Sequence, residues 1–67
     1  MDEVKKEYLC VTVVLQDKRE MTGYLSDISY SNGRYSVELE TFEGQTITIG
    51  CVKAEEIKIF KKSIRIL

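Results

Sequence analysis

The chain contains no histidine, no proline and no tryptophan, and only two cysteines among its 67 residues. Without histidine the commonest general base is missing, and with it any Ser-His or Cys-His nucleophile pair. Cys10 and Cys51 stand far apart in sequence, with no histidine to complete a metal site. They read as two small reduced core residues, and a disulfide would need the fold to juxtapose them. No catalytic residue, metal ligand or cofactor is expected. Nor is there a low-complexity stretch or linker, so residues 1–67 read as one domain. No apolar run approaches the roughly 18 residues that cross a bilayer, and the acidic, lysine-containing start MDEVKKEY does not read as a signal peptide. The expected location is cytoplasmic, with no membrane contact.

What is present suits a small folded domain. Hydrophobic residues make up 43% of the chain and charged residues 31%, a balance that argues against disorder. At this length folding buries only about 60% of the surface of the extended chain. The core must therefore be a single compact layer. Net charge is −1, but unevenly spread: six basic and eleven acidic side chains precede residue 57, and Lys58, Lys61, Lys62 and Arg65 follow it with no acid. A basic edge on an acidic body suits RNA phosphates or an acidic protein partner, and is otherwise a plain solvated face.

Period-two alternation runs through most of the chain and predicts an all-β fold. The first strand is expected over Leu9–Leu15, with Leu9, Val11, Val13 and Leu15 on one face and a partly apolar second face carrying Cys10 and Val14. A charged turn at 16–19 follows. The second strand runs from Glu20 through Met21, Gly23 and Leu25 to Ile28, and its internal glycine marks a bend or a close backbone approach. Asn32-Gly33 is the preferred pair for a type I′ hairpin, because both positions accept positive φ. The third strand is expected to turn Tyr35, Val37, Leu39 and Thr41 inward and Arg34, Ser36, Glu38 and Glu40 to water. After a turn at 42–44 comes a fourth strand with Ile47 and Ile49 on one face. Residues 50–56 are too short for a regular helix and suit one 3₁₀ turn. Ile57, Ile59 and Phe60 are expected to form a fifth strand, and residues 61–67 a basic C-terminal segment in which Ser63 to Leu67 again alternate, with Ile64 and Ile66 on one side. Asp2 to Tyr8 reads as a frayed helical turn or a loose arm, since seven unpacked residues cannot hold a helix in water.

The order of these features resembles the Sm and Sm-like family, in which a short helix precedes five strongly bent strands of an SH3-like barrel. The stretch VTVVLQDKREMTGYLSDI, Val11 to Ile28, is similar to the first family motif, with Leu15, Asp17, Met21, Gly23, Leu25 and Ile28 at the matching places. Tyr35 to Leu39 resembles the strand that closes that motif. Ile49-Gly50-Cys51, followed by Val52 to Ile57, resembles the second. The likeness covers residues 9–60, the expected barrel, with 1–8 as an N-terminal arm. It is carried largely by hydrophobic spacing.

The family's RNA-reading residues do not match. Its loop aspartate falls on Ser29, its asparagine on Gly33 with Asn32 one residue early, and its arginine on Thr48 or Ile49. Without the groups that stack, hydrogen-bond and neutralise single-stranded RNA, the usual pocket is not expected. Ser29, Tyr30, Asn32 and Arg34 are the residues that would serve an RNA loop, with Tyr30 and Arg34 able to stack on a base. Divergent members without these groups, resembling the N-terminal modules of enhancer-of-decapping and Scd6-type proteins, imply a non-enzymatic scaffold of mRNA decay. Such a module binds short helical leucine-rich peptides of decapping factors. Here Lys58, Lys61, Lys62, Arg65 and Phe60 would form the partner surface, apolar anchors with a charged rim. The alternatives are a homo-oligomeric ring that binds single-stranded RNA, and a Tudor-like reader using Tyr8, Tyr24, Tyr30, Tyr35, Phe42 and Phe60 for cation–π contact. Core or groove packing is the plainer role for those six rings.

Overall fold

The structure, a computed structural model, describes residues 4–66. Its alternating segments form five strands: β1 (Val4–Val14), β2 (Glu20–Ser31), β3 (Arg34–Glu40), β4 (Thr46–Val52) and β5 (Ile57–Ile66). They build one antiparallel sheet in the order β4-β3-β2-β1-β5. The one helical element among the described residues is a 3₁₀ turn at Ala54–Glu56. There the Lys53 N–H donates to the Glu56 carboxylate at 2.9 Å, while the Glu56 N–H donates back to the Lys53 carbonyl.

The connections follow their turn chemistry. Asn32 and Gly33 both take positive φ (52° and 78°), as a type I′ hairpin between Ser31 and Arg34 requires. The β1–β2 and β3–β4 links share a second geometry. Leu15 N–H donates to the Arg19 carbonyl and Lys18 N–H to the Leu15 carbonyl; Thr41 and Gly44 repeat the pattern with Gln45 and Thr41. Each three-residue loop needs a left-handed residue at its third position. Gly44 fills that place in one loop (φ 93°) and Lys18 in the other (φ 73°).

Gly23 is where the sheet turns. Glu20–Tyr24 of β2 pair with β1, whereas Tyr24–Ser31 pair with β3, so this strand serves both halves of the sheet. A Cβ on Gly23 would lie 2.4 Å from the Glu40 carbonyl oxygen, so only glycine lets β2 and β3 approach this closely. An irregularity between Leu25 and Asp27 adds to the bend. The concave face collects Val11, Val13, Val37, Leu39 and Val52, all buried, with Met21, Leu25, Ile28, Tyr35, Ile47, Ile49 and Ile57 packed around them. Ile47 and Ile49 are half-buried and Thr46 and Thr48 exposed, so β4 alternates as its sequence predicts.

Five expectations are corrected. The sheet does not close into a barrel: among the described residues no ladder joins β4 to β5. The 1–8 arm is not one, since Val4–Tyr8 pair with Lys62–Ile66, and β5 continues through the basic segment instead of stopping at Phe60. A distant strand supplies the hydrogen-bond partners that a local helix would have lacked. The part of that expectation falling on residues 1–3 lies outside the described residues, as does Leu67. Leu9 is 48% exposed, because β2 ends its pairing with β1 at Cys10. Cys51 is exposed at φ 58°, outside the core, while Cys10 is buried; both thiols are free. The ribbon stretches the molecule to 50 × 20 × 17 Å, with a radius of gyration of 13.7 Å. A compact chain of this length would have about 11 Å.

Candidate protein-interaction surface

The expected partner residues lie on one strand but on two faces. Directly opposed residues of an antiparallel pair share a face. Leu9, Val11 and Val13 on the concave face therefore carry Lys61, Ile59 and Ile57 with them, and Lys5 brings Arg65. Tyr8, Cys10 and Thr12 on the convex face carry Lys62, Phe60 and Lys58, and Lys6 brings Ile64. The β1–β5 register thus gathers Lys5, Lys6, Lys58, Lys61 and Lys62 around a ribbon whose one described β1 acid is Glu7. Lys5 and Lys6 were missed in sequence, because their segment looked unpaired. No local pattern marks the segment: Val4 to Leu9 read V-K-K-E-Y-L, three charges between apolar residues, without the period of two.

The convex face has its own small cluster. Tyr8 and Tyr24 rings stand 5.2 Å apart, Tyr24 and Phe42 meet edge to face at 5.0 Å, and Lys62 Nζ lies 4.0 Å from the Phe42 ring centre. Cys10 is fully buried on this face, opposite Phe60 and Tyr24. The rings pack on each other rather than framing an open cage, and the cation they hold is the chain's own Lys62. Thr12 and Thr22 continue the face with a 2.8 Å hydroxyl hydrogen bond.

The RNA-loop candidates sit at the tip of the β2–β3 hairpin. Tyr30 and Tyr35 rings lie 4.9 Å apart, although Tyr30 remains 63% exposed. Arg34 donates to the Gly33 carbonyl at 3.2 Å. Ser29 and Arg34 border a cleft of about 190 Å³ with Cys51, and Asn32 is held in the turn by its left-handed backbone. These four residues share a hairpin end, not a pocket.

Two further concavities lie elsewhere on the surface. Ile28, Tyr35, Ala54, Ile57 and Ile59 line an apolar crevice of about 280 Å³ between the β2–β3 hairpin and β5. Val14 to Asp17, Arg19, Ile49 to Val52 and Glu56 border a more polar cleft of about 410 Å³. Beside it, Asp17 is held below the usual carboxylate range, first by the Arg19 N–H at 3.1 Å and then by the Arg19 guanidinium. This pair is solvent-exposed and closes a turn. No group of three or more His, Cys, Asp or Glu able to hold a metal occurs among the described residues, and no helix among them is long and apolar enough to cross a membrane.

No family model matches this chain, and no curated protein or solved structure matches it. The geometry of the surface has to carry its own interpretation.

Proposed function

We propose that the chain is a non-enzymatic protein-interaction module, a divergent Sm-like domain of RNA metabolism that binds short peptide segments along β5. The observation that carries this reading is the β1–β5 register. It sets five lysines beside half-buried Tyr8, Phe60 and Ile64 and the exposed Ile59. Apolar side chains flanked by flexible cations suit a peptide that is acidic between its apolar anchors. The Sm-like assignment draws support from the bend at Gly23, the Asn32-Gly33 hairpin and the 3₁₀ turn before β5, in the order the resemblance implies. It makes leucine-rich peptides of decapping factors the first probes and a cytoplasmic setting the natural one.

The test is an amide NMR titration of the chain with such peptides at low salt. Shifts concentrated in Lys58–Ser63 and Lys5–Tyr8 are expected. No shift at millimolar peptide, for leucine-rich and acidic sequences alike, would overturn the proposal. Stronger shifts with oligo(U), centred on Ser29–Arg34, would turn it toward RNA, whose phosphate contacts are strongest at low salt.

A further inference from the structure

We infer that the outer edge of β5 receives an extended acidic–apolar segment of a partner protein as a sixth antiparallel strand, an inference that rests on the interaction-module reading and specifies its mode. Among the described residues β5 pairs with β1 alone, along one side. Over residues 57–63 its other side presents alternate N–H and C=O groups, a template for strand addition. The apolar crevice supplies the second observation. Ile57 and Ile59 both line it, together with Ala54 just before the strand and Ile28 and Tyr35 across the concave face. Residues of an added strand that lie opposite Ile57 and Ile59 share their face. Two apolar side chains there enter the gap the open sheet leaves, in a volume of about 280 Å³.

Charge selects the occupant. Lys58 and Lys61 are exposed on opposite faces of the edge strand. An antiparallel segment reading Glu-x-apolar-Glu-apolar sets acids opposite Lys61 and Lys58 and apolar groups opposite Ile59 and Ile57. A second copy of β5 fits poorly: an antiparallel self-pairing centred on Phe60 sets Lys58 against Lys62, and like charges directly opposed are destabilising. The β4 edge, Thr46–Val52, carries no charge to answer the lysines. The lysines thus guard the edge against self-pairing and admit an acidic strand.

The probe is the peptide Ser-Glu-Glu-Val-Ile-Glu-Val-Thr, with a scrambled peptide of the same composition as control. Its binding is followed by hydrogen exchange of the chain's amides and by NOEs within the bound peptide. Slowing of exchange by at least about tenfold at alternate amides from Lys58 to Ser63, with extended peptide backbone, is expected. Lys58→Glu and Lys61→Glu, both at exposed positions, should each weaken binding about tenfold, and the scrambled peptide should bind less well. Binding in a helical conformation, or protection elsewhere, overturns strand addition while leaving the interaction-module reading intact. No binding overturns the inference, and if leucine-rich helical peptides also fail, the function falls with it. Sedimentation showing a dimer whose formation protects the same β5 amides would give the edge to a second copy and overturn the inference as well.

Discussion

Replacing Gly23 with alanine adds one methyl group at the point where the sheet changes direction. That carbon would sit 2.4 Å from the Glu40 carbonyl oxygen, a full ångström inside the 3.4 Å at which ordinary contact begins, and 2.9 Å from both the Glu40 carbonyl carbon and Leu39 Cδ1. The nearest obstacle is backbone, which cannot swing aside as a side chain would. The φ of Gly23 lies outside the left-handed region, so the penalty is steric, not conformational. Overpacking of this kind costs about 3 kcal/mol when main chain must move. Alanine's smaller unfolded-state entropy returns about 0.5–1 kcal/mol. A net loss of about 2 kcal/mol is expected, from a total of roughly 3–10 kcal/mol for a domain this small. The melting temperature should fall by roughly 8–16 °C. Thermal and urea unfolding followed by circular dichroism measure it. The matched control is Gly50→Ala, where a Cβ meets nothing within 4 Å, and which should be neutral or slightly stabilising. If Gly23→Ala melts within about 2 °C of the parent, or no lower than Gly50→Ala, the close approach of β2 to β3 is not what the glycine serves.

Two further outcomes follow from the turns. Lys18→Gly relieves a left-handed lysine at φ 73° in an exposed loop and should stabilise by about 0.5–1 kcal/mol, whereas Gly44→Ala at φ 93° should cost about 1 kcal/mol; urea midpoints shifting in opposite directions check the shared loop geometry. Asp17, depressed by its Arg19 partners, should titrate by NMR below the ordinary aspartate value of about 3.9. Its stabilising effect is then fully present above that value and lost as pH falls through the lower, folded-state midpoint. Arg19→Gln should raise the midpoint only partway, because the main contributor is the Arg19 backbone N–H, which the substitution leaves in place.

Much of the surface now proposed for binding was legible in sequence, but not its shape. Lys58, Lys61, Lys62, Arg65 and Phe60 stood out as a basic, apolar run; their division between two faces came only with the register against β1. The aromatic residues show the same limit. Composition placed six rings in the chain, yet that Tyr8, Tyr24 and Phe42 meet on the convex face, and that Lys62 occupies Phe42, depends on three different strands and a loop arriving together.

What the sequence determined by itself is local. Period-two alternation dictates strands, because successive Cβ atoms point to opposite faces. Asn32-Gly33 dictates its hairpin because those two residues accept positive φ most cheaply. Gly23 marks the bend because glycine, having no Cβ, lets another backbone approach closely. Only the tertiary structure decided which strands lie side by side. Val4–Tyr8 have no local reason to be extended; their hydrogen-bond partners are some sixty residues away at Lys62–Ile66. Such pairing costs loop-closure entropy that no short window of sequence records. It turned an expected arm into a ribbon, and it made β5 one of the two edges of the sheet, opposite β4.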